Sequence, residues 1–89
     1  MNTPVAPDAV RAAIRSLLER RGPGKTICPS EAARDLTPPG RDWRVEMSRV
    51  HQAVAVLRRE GKVVTSWKDL ERSPSDGPYR IAMADWNER

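Results

Sequence analysis

The tripeptide Gly24-Lys25-Thr26 lies in a glycine-rich stretch, RGPGKTICPSEAARDL, and a Gly-Lys-Thr of this kind can cradle the phosphates of a nucleotide. A complete phosphate loop also needs a glycine five positions ahead of the Gly-Lys pair, and Glu19 stands there. It needs a strand leading in and a helix leading out. Ahead of it, Val10, Ile14, Leu17 and Leu18 follow helical spacing instead. Behind it, Pro29 forbids a helix that starts at Lys25. No carboxylate is placed to support a magnesium ion. Cys28 stands at the start of the next helix, where thiolate chemistry can arise, but such chemistry wants a histidine or a second cysteine beside it. His51 is the one histidine and Cys28 the one cysteine, too few for a zinc set or a two-histidine facial triad. No pair of carboxylates has an acid–base spacing. The expectation is a chain without catalysis, metal or cofactor.

Cationic chemistry remains. The net charge is +4, and of the 16 Lys and Arg only Lys25, Lys62 and Lys68 are lysine. Such a balance favours an anionic partner, nucleic acid first. Guanidinium forks suit phosphates and guanine edges, although a GC-rich coding sequence also yields arginine, so the bias alone decides nothing. Between Arg41 and Arg59 the arrangement is more specific. Placed on a helix, Arg44, Ser48, Gln52, Ala55 and Arg59 share the face opposite the apolar stripe. His51 and Arg58 widen that face, and Arg41 stands just before it. Arginine can pair with guanine, glutamine with adenine and serine with either. Any solvated helix face is polar, so the bland reading competes. Lys62, Lys68 and Arg72 form a second basic group suited to phosphates, offset by Asp69, Glu71 and Asp76. Trp67, Leu70 and Trp86 are apolar groups expected near the surface, a composition that suits a protein interface. Trp67 could equally cap the core, and Trp86 could fold back onto the domain.

These residues need elements to hold them. Asp8 reads as the cap of a first helix, with Pro7 just outside, Arg20 and Arg21 in its last turn and Gly22 at its left-handed end. Pro23 blocks continuation. Thr26 and Ile27 read as a short extended segment. Cys28, Pro29 and Glu31 then supply the cap, first residue and third residue of a short helix to Leu36, with Ala32, Ala33 and Leu36 as its apolar side. Pro38, Pro39 and Gly40 break it. Asp42 is expected to cap a long third helix running to about Glu60, with the stripe Trp43, Met47, Val50, Val54 and Leu57, and Gly61 ends it. Lys62 to Trp67 reads as a strand, KDLERSPSDG as a polar turn, and PYRIAM as a second strand with Tyr79, Ile81 and Met83 on one face.

Helix, short strand, helix, helix, hairpin is the order of an α+β winged helix-turn-helix: three helices with a small antiparallel wing sheet. The 89 residues suit one domain, residues 1–89, with a core from about 8 to 83 between a short N-terminus and a C-terminal tail. No apolar run approaches the roughly 20 residues of a membrane span. The N-terminus lacks the basic start and apolar stretch of a signal peptide. A single cysteine suits a reducing cytoplasm.

The blocks RGPGKTICPSEAARDL, DWR with Met47 four residues after Trp43, LRREGKVVT and GPYRI resemble the small bacterial family of domain of unknown function 3253, from about Val10 to Met83. The resemblance implies a winged-helix fold and brings no activity or catalytic residues. The loop from Trp67 to Asp76 and the tail with Trp86 depart from the family pattern. Two functional expectations therefore stand on the side chains. One is double-stranded DNA binding through Arg41, Arg44, Ser48, His51, Gln52, Arg59 and Lys68. The other is a protein–protein adaptor using Trp67, Leu70 and Trp86. An RNA-binding module ranks behind both, because the sheet lacks stacking aromatics.

Overall fold

The computed structural model describes residues 7–22, 24–68, 70–71 and 77–84. Pro23, Asp69, Arg72, Asp76 and Trp86, which carry expectations above, lie outside the described residues. Helix α1 spans Pro7–Arg21 and buries Val10, Ile14 and Leu18 as their spacing requires. It starts at Pro7, two residues before the Ala9 that an Asp8 cap implies, so Asp8 is not its cap. Asp8 lies in the first turn instead, where a carboxylate still suits the helix dipole, and pairs with Arg11. Gly22 ends α1 at φ 97°, its N–H donating to the Leu18 carbonyl at 3.0 Å.

The expected strand at Thr26–Ile27 shrinks to a single bridge. Ile27 and Ile81 exchange two backbone hydrogen bonds of 2.9 Å, and the ladder stops there. It stops because the next position that could donate to β3 is Pro29, which has no N–H, while the Cys28 N–H is turned to the Glu31 carboxylate at 3.2 Å. Helix α2, Pro29–Leu36, begins at that cap, buries Ala32 and Ala33, and ends where Thr37 hydrogen-bonds back to the Ala33 carbonyl at 2.7 Å.

The long third helix expected from Asp42 divides. Asp42 does cap, accepting from the Arg44 N–H at 3.0 Å, but the turn it starts is a 3-10 helix, Trp43–Glu46. Helix α3 proper runs from Met47 to Arg59. The tighter winding shifts the phase ahead of Met47. Val50, Val54 and Leu57 are fully buried, whereas Trp43 and Met47 pack only partly against the core and Val45 is left 63% exposed. At the other end, the Lys62 N–H reaches the Leu57 carbonyl at 2.9 Å and the Gly61 N–H the Arg58 carbonyl at 3.0 Å, with Gly61 at φ 74°. This double closure is the glycine stop the sequence implied.

Three strands follow: β1 (Val63–Trp67), β2 (Leu70–Glu71) and β3 (Arg80–Met83). They form an antiparallel sheet in the order β2-β1-β3, with Trp67 opposite Leu70 and Thr65 opposite Ile81. The polar segment read as a turn thus contains a strand, β2. It is too short for an alternating pattern to register, and it is reached through Lys68 in a left-handed conformation at φ 53°. Val63, Thr65, Tyr79 and Ile81 face inward, and the core they close unites α1, α2, α3 and the sheet. Helix α1 packs on α2, α3 and β3, and α3 packs on β1. Three helices under a small antiparallel sheet make an α+β fold that fits the winged helix-turn-helix arrangement.

Candidate nucleic-acid interface

The glycine-rich stretch is a connector. A helix, α1, leads into it, Lys25 is exposed, and the Thr26 hydroxyl accepts from Arg80 Nε at 2.6 Å rather than facing a phosphate cradle. Arg80 also donates to the Thr26 carbonyl at 3.3 Å and to Cys28 Sγ at 2.8 Å. One half-buried guanidinium therefore stitches β3 to the connector and to the cap of α2. Among the described residues, no group of three or more His, Cys, Asp or Glu could hold a metal ion.

Helix α3 has no carboxylate in its thirteen residues. Ser48, Gln52 and Arg59 are exposed along one side of it, and Ala55 between them is half-buried. The two acids at its ends are engaged: Glu46 with Arg49 at 3.0 Å, Glu60 with Lys62 at 3.8 Å. Arg58, at the margin of this face, reaches Glu71 on β2 at 3.4 Å and so ties α3 to the sheet.

Arg44 does not share the α3 surface as a helical continuation, because the 3-10 turn carries it. Its Nη1 lies 3.3 Å from Asp42, and its guanidinium lies 4.7 Å from the centroid of the Trp43 ring. Arg34, at the end of α2, approaches the same ring at 4.7 Å. Arg41 is exposed in the turn before it, and Lys68 is exposed at the β1–β2 connection. Ser48, Gln52 and Arg59 therefore stand together on α3, Arg41 and Arg44 ahead of it, and Lys68 apart on the hairpin.

His51 is the candidate whose setting differs most from expectation. It has a neighbour: Nδ1 lies 2.6 Å from the Tyr79 hydroxyl, across 28 residues of sequence. Burial pushes the Tyr79 phenol well above its usual value, so it keeps its proton. Burial also pushes the His51 imidazole below its usual value of 6.5, which favours the neutral ring. In the tautomer with the ring proton on Nε2, the phenol O–H donates to Nδ1. His51 is thus a half-exposed fastener between α3 and the segment leading into β3.

Of the apolar candidates, Leu70 is 72% exposed, as expected, while Trp67 is half-buried on the face it shares with Val63 and Thr65. Trp67 also lines a shallow groove of about 490 Å³ with Pro29, Met47, His51, Pro78 and Tyr79. Sequence reasoning missed Arg34, the Tyr79 partner of His51 and the Arg80 contacts. Each is a meeting between distant segments, and only the half-polar character of Tyr79 and His51 hinted that both needed partners.

No helix among the described residues is long and apolar enough to cross a membrane. No curated protein matches the chain. Residues 7–84 match the model of the family described as protein of unknown function (DUF3253), a span from the first turn of α1 to just beyond β3. The match takes in every element described above, and the chain belongs to that family.

Proposed function

We propose that this chain is a nucleic-acid-binding winged-helix domain for double-stranded DNA, with α3 entering the major groove, the hairpin beside the phosphates, and no catalysis of its own. The observation that carries the reading is the acid-free α3 with Ser48, Gln52 and Arg59 exposed along it. In this reading Ser48 and Gln52 meet base edges, with the Nε2 edge of His51 beside them. Arg41, Arg59 and Lys68 meet phosphates, which position the protein without reading sequence. A cytoplasmic location in a bacterium suits this role and the free thiol of Cys28.

The test is titration with random-sequence duplex at two salt concentrations. Binding should weaken steeply with salt, and Arg59→Ala should reduce the slope of log K against log salt by about one unit on every sequence. Gln52→Ala should instead relax preference at one base position, by about 1–3 kcal/mol. Absence of salt-dependent binding at low ionic strength would end the DNA reading.

A second reading, a protein–protein adaptor, draws on exposed Leu70 and the groove beside Trp67; Trp86 belongs to it from sequence alone. Under that reading Trp67→Ala or Leu70→Ala removes a protein partner, and duplex DNA is not bound at any salt concentration.

A further inference from the structure

Two guanidiniums share one indole. Arg34 closes α2, Arg44 sits in the 3-10 turn, and each lies 4.7 Å from the Trp43 ring centroid. Like charges gather on one ring only where something offsets their repulsion. The ring quadrupole does part of this. Asp42 does another part, taking one N–H of Arg44 at 3.3 Å. Among the described residues Arg34 has no carboxylate partner. Asp35 beside it is turned to Arg20 at 3.6 Å. Both arginines are exposed, and the Arg44 side chain is 71% accessible.

Stacking occupies the flat face of a guanidinium and leaves its N–H edges free to donate. A ring contact also restricts the side chain before any ligand arrives, so less freedom is lost on binding. Each planar fork held this way keeps donors for an anion with several acceptor oxygens, the chemistry of a phosphate group. Arg44 lies in the turn immediately ahead of α3, and Arg34 joins it there from the last turn of α2. Resting on the DNA reading of that face, we propose that Arg34 and Arg44, held against Trp43, grip a backbone phosphate of duplex DNA beside the groove that α3 enters.

The experiment is titration of the full chain with random-sequence duplex across a salt series, with the melting temperature of each variant measured alongside. Arg34→Ala should lower the salt slope by about one unit and weaken binding equally on all sequences. Trp43→Leu keeps both charges and loses the ring face, so affinity should fall several-fold at an unchanged slope. Trp43→Phe, which restores a π face, should recover most of that loss. Trp43 packs partly against the core, so the Arg34 and Phe variants keep the test decisive where Trp43→Leu unfolds. Salt-dependent wild-type binding that Arg34→Ala leaves unaltered overturns the clamp and spares the α3 reading. A folded Trp43→Leu that binds like wild type overturns the role of the ring. No salt-dependent duplex binding by the wild type sinks both together. Polyglutamate bound in place of duplex, with Arg34→Ala weakening it, assigns the pair to an acidic protein and overturns the proposal.

Discussion

His51 ties a pH dependence to one hydrogen bond. Its imidazole is held below the ordinary value of 6.5 by burial, so the unfolded chain binds the proton more readily than the folded one. Stability from this source is complete above about 6.5 and is lost as pH falls through that value toward the lower folded one. Protonation also turns Nδ1 from acceptor to donor, so the Tyr79 hydroxyl must give up its own donation there. The melting temperature of the wild type should therefore drop more steeply below about pH 6.5 than that of His51→Gln. Parallel curves for the two proteins would show that the ring titrates as it does in the unfolded chain. None of this was readable from the residue itself. A histidine four positions past the start of a helix looks like surface until Tyr79, just ahead of β3, is laid beside it. Gly22 and Gly61 are the opposite case, since a left-handed helix end is a local demand that glycine meets locally.

Helix α3 shows where local signals succeed and where they stop. The spacing of Val50, Val54 and Leu57 found the buried side, and Gly61 found the end. Asp42 was correctly a cap, but a cap does not say how tightly the first turn winds. The 3-10 turn rotated Trp43 toward Arg34 and Arg44 instead of sinking it in the core. Strand β2 escaped for a related reason: two residues cannot display a period. Within α3, Leu57 is the side chain whose loss should matter most, because it is fully buried where α3 meets the other helices and the sheet. Leu57→Ala should cost about 2–5 kcal/mol, read from a denaturant midpoint that shifts at constant m. Val45, in the 3-10 turn and mostly exposed, should tolerate the same change with little effect.

At the scale of the molecule, the order of elements was legible because each helix stop and start is written in adjacent residues. The fold class followed from that order. The candidate surface was legible only as a helix face, because the fastenings beside it (His51 to Tyr79, Arg58 to Glu71, Arg34 to Trp43) join segments no local pattern relates. One such fastening, the Ile27–Ile81 bridge, makes a prediction for the whole domain. Both residues are fully buried and exchange both backbone bonds, so their amides should open together, and only with the global transition. Native-state hydrogen exchange should give the two a common free energy close to that of unfolding; a much lower value for Ile27 would mean that the connector frays by itself. The same pairing bears on how the chain is made. Thr26 and its clasping Arg80 are 54 residues apart, a stretch that takes roughly 3 to 11 seconds to synthesise at ordinary translation rates. Through that interval α1, α2 and α3 can leave the ribosome before β3, the strand that pairs with Ile27 and packs on α1. Until then Ile27 lacks its backbone partner, although α1, α2 and α3 can already pack on one another. Within this domain the Ile27–Ile81 pairing is therefore a late contact, available only after β3 has followed the three helices out.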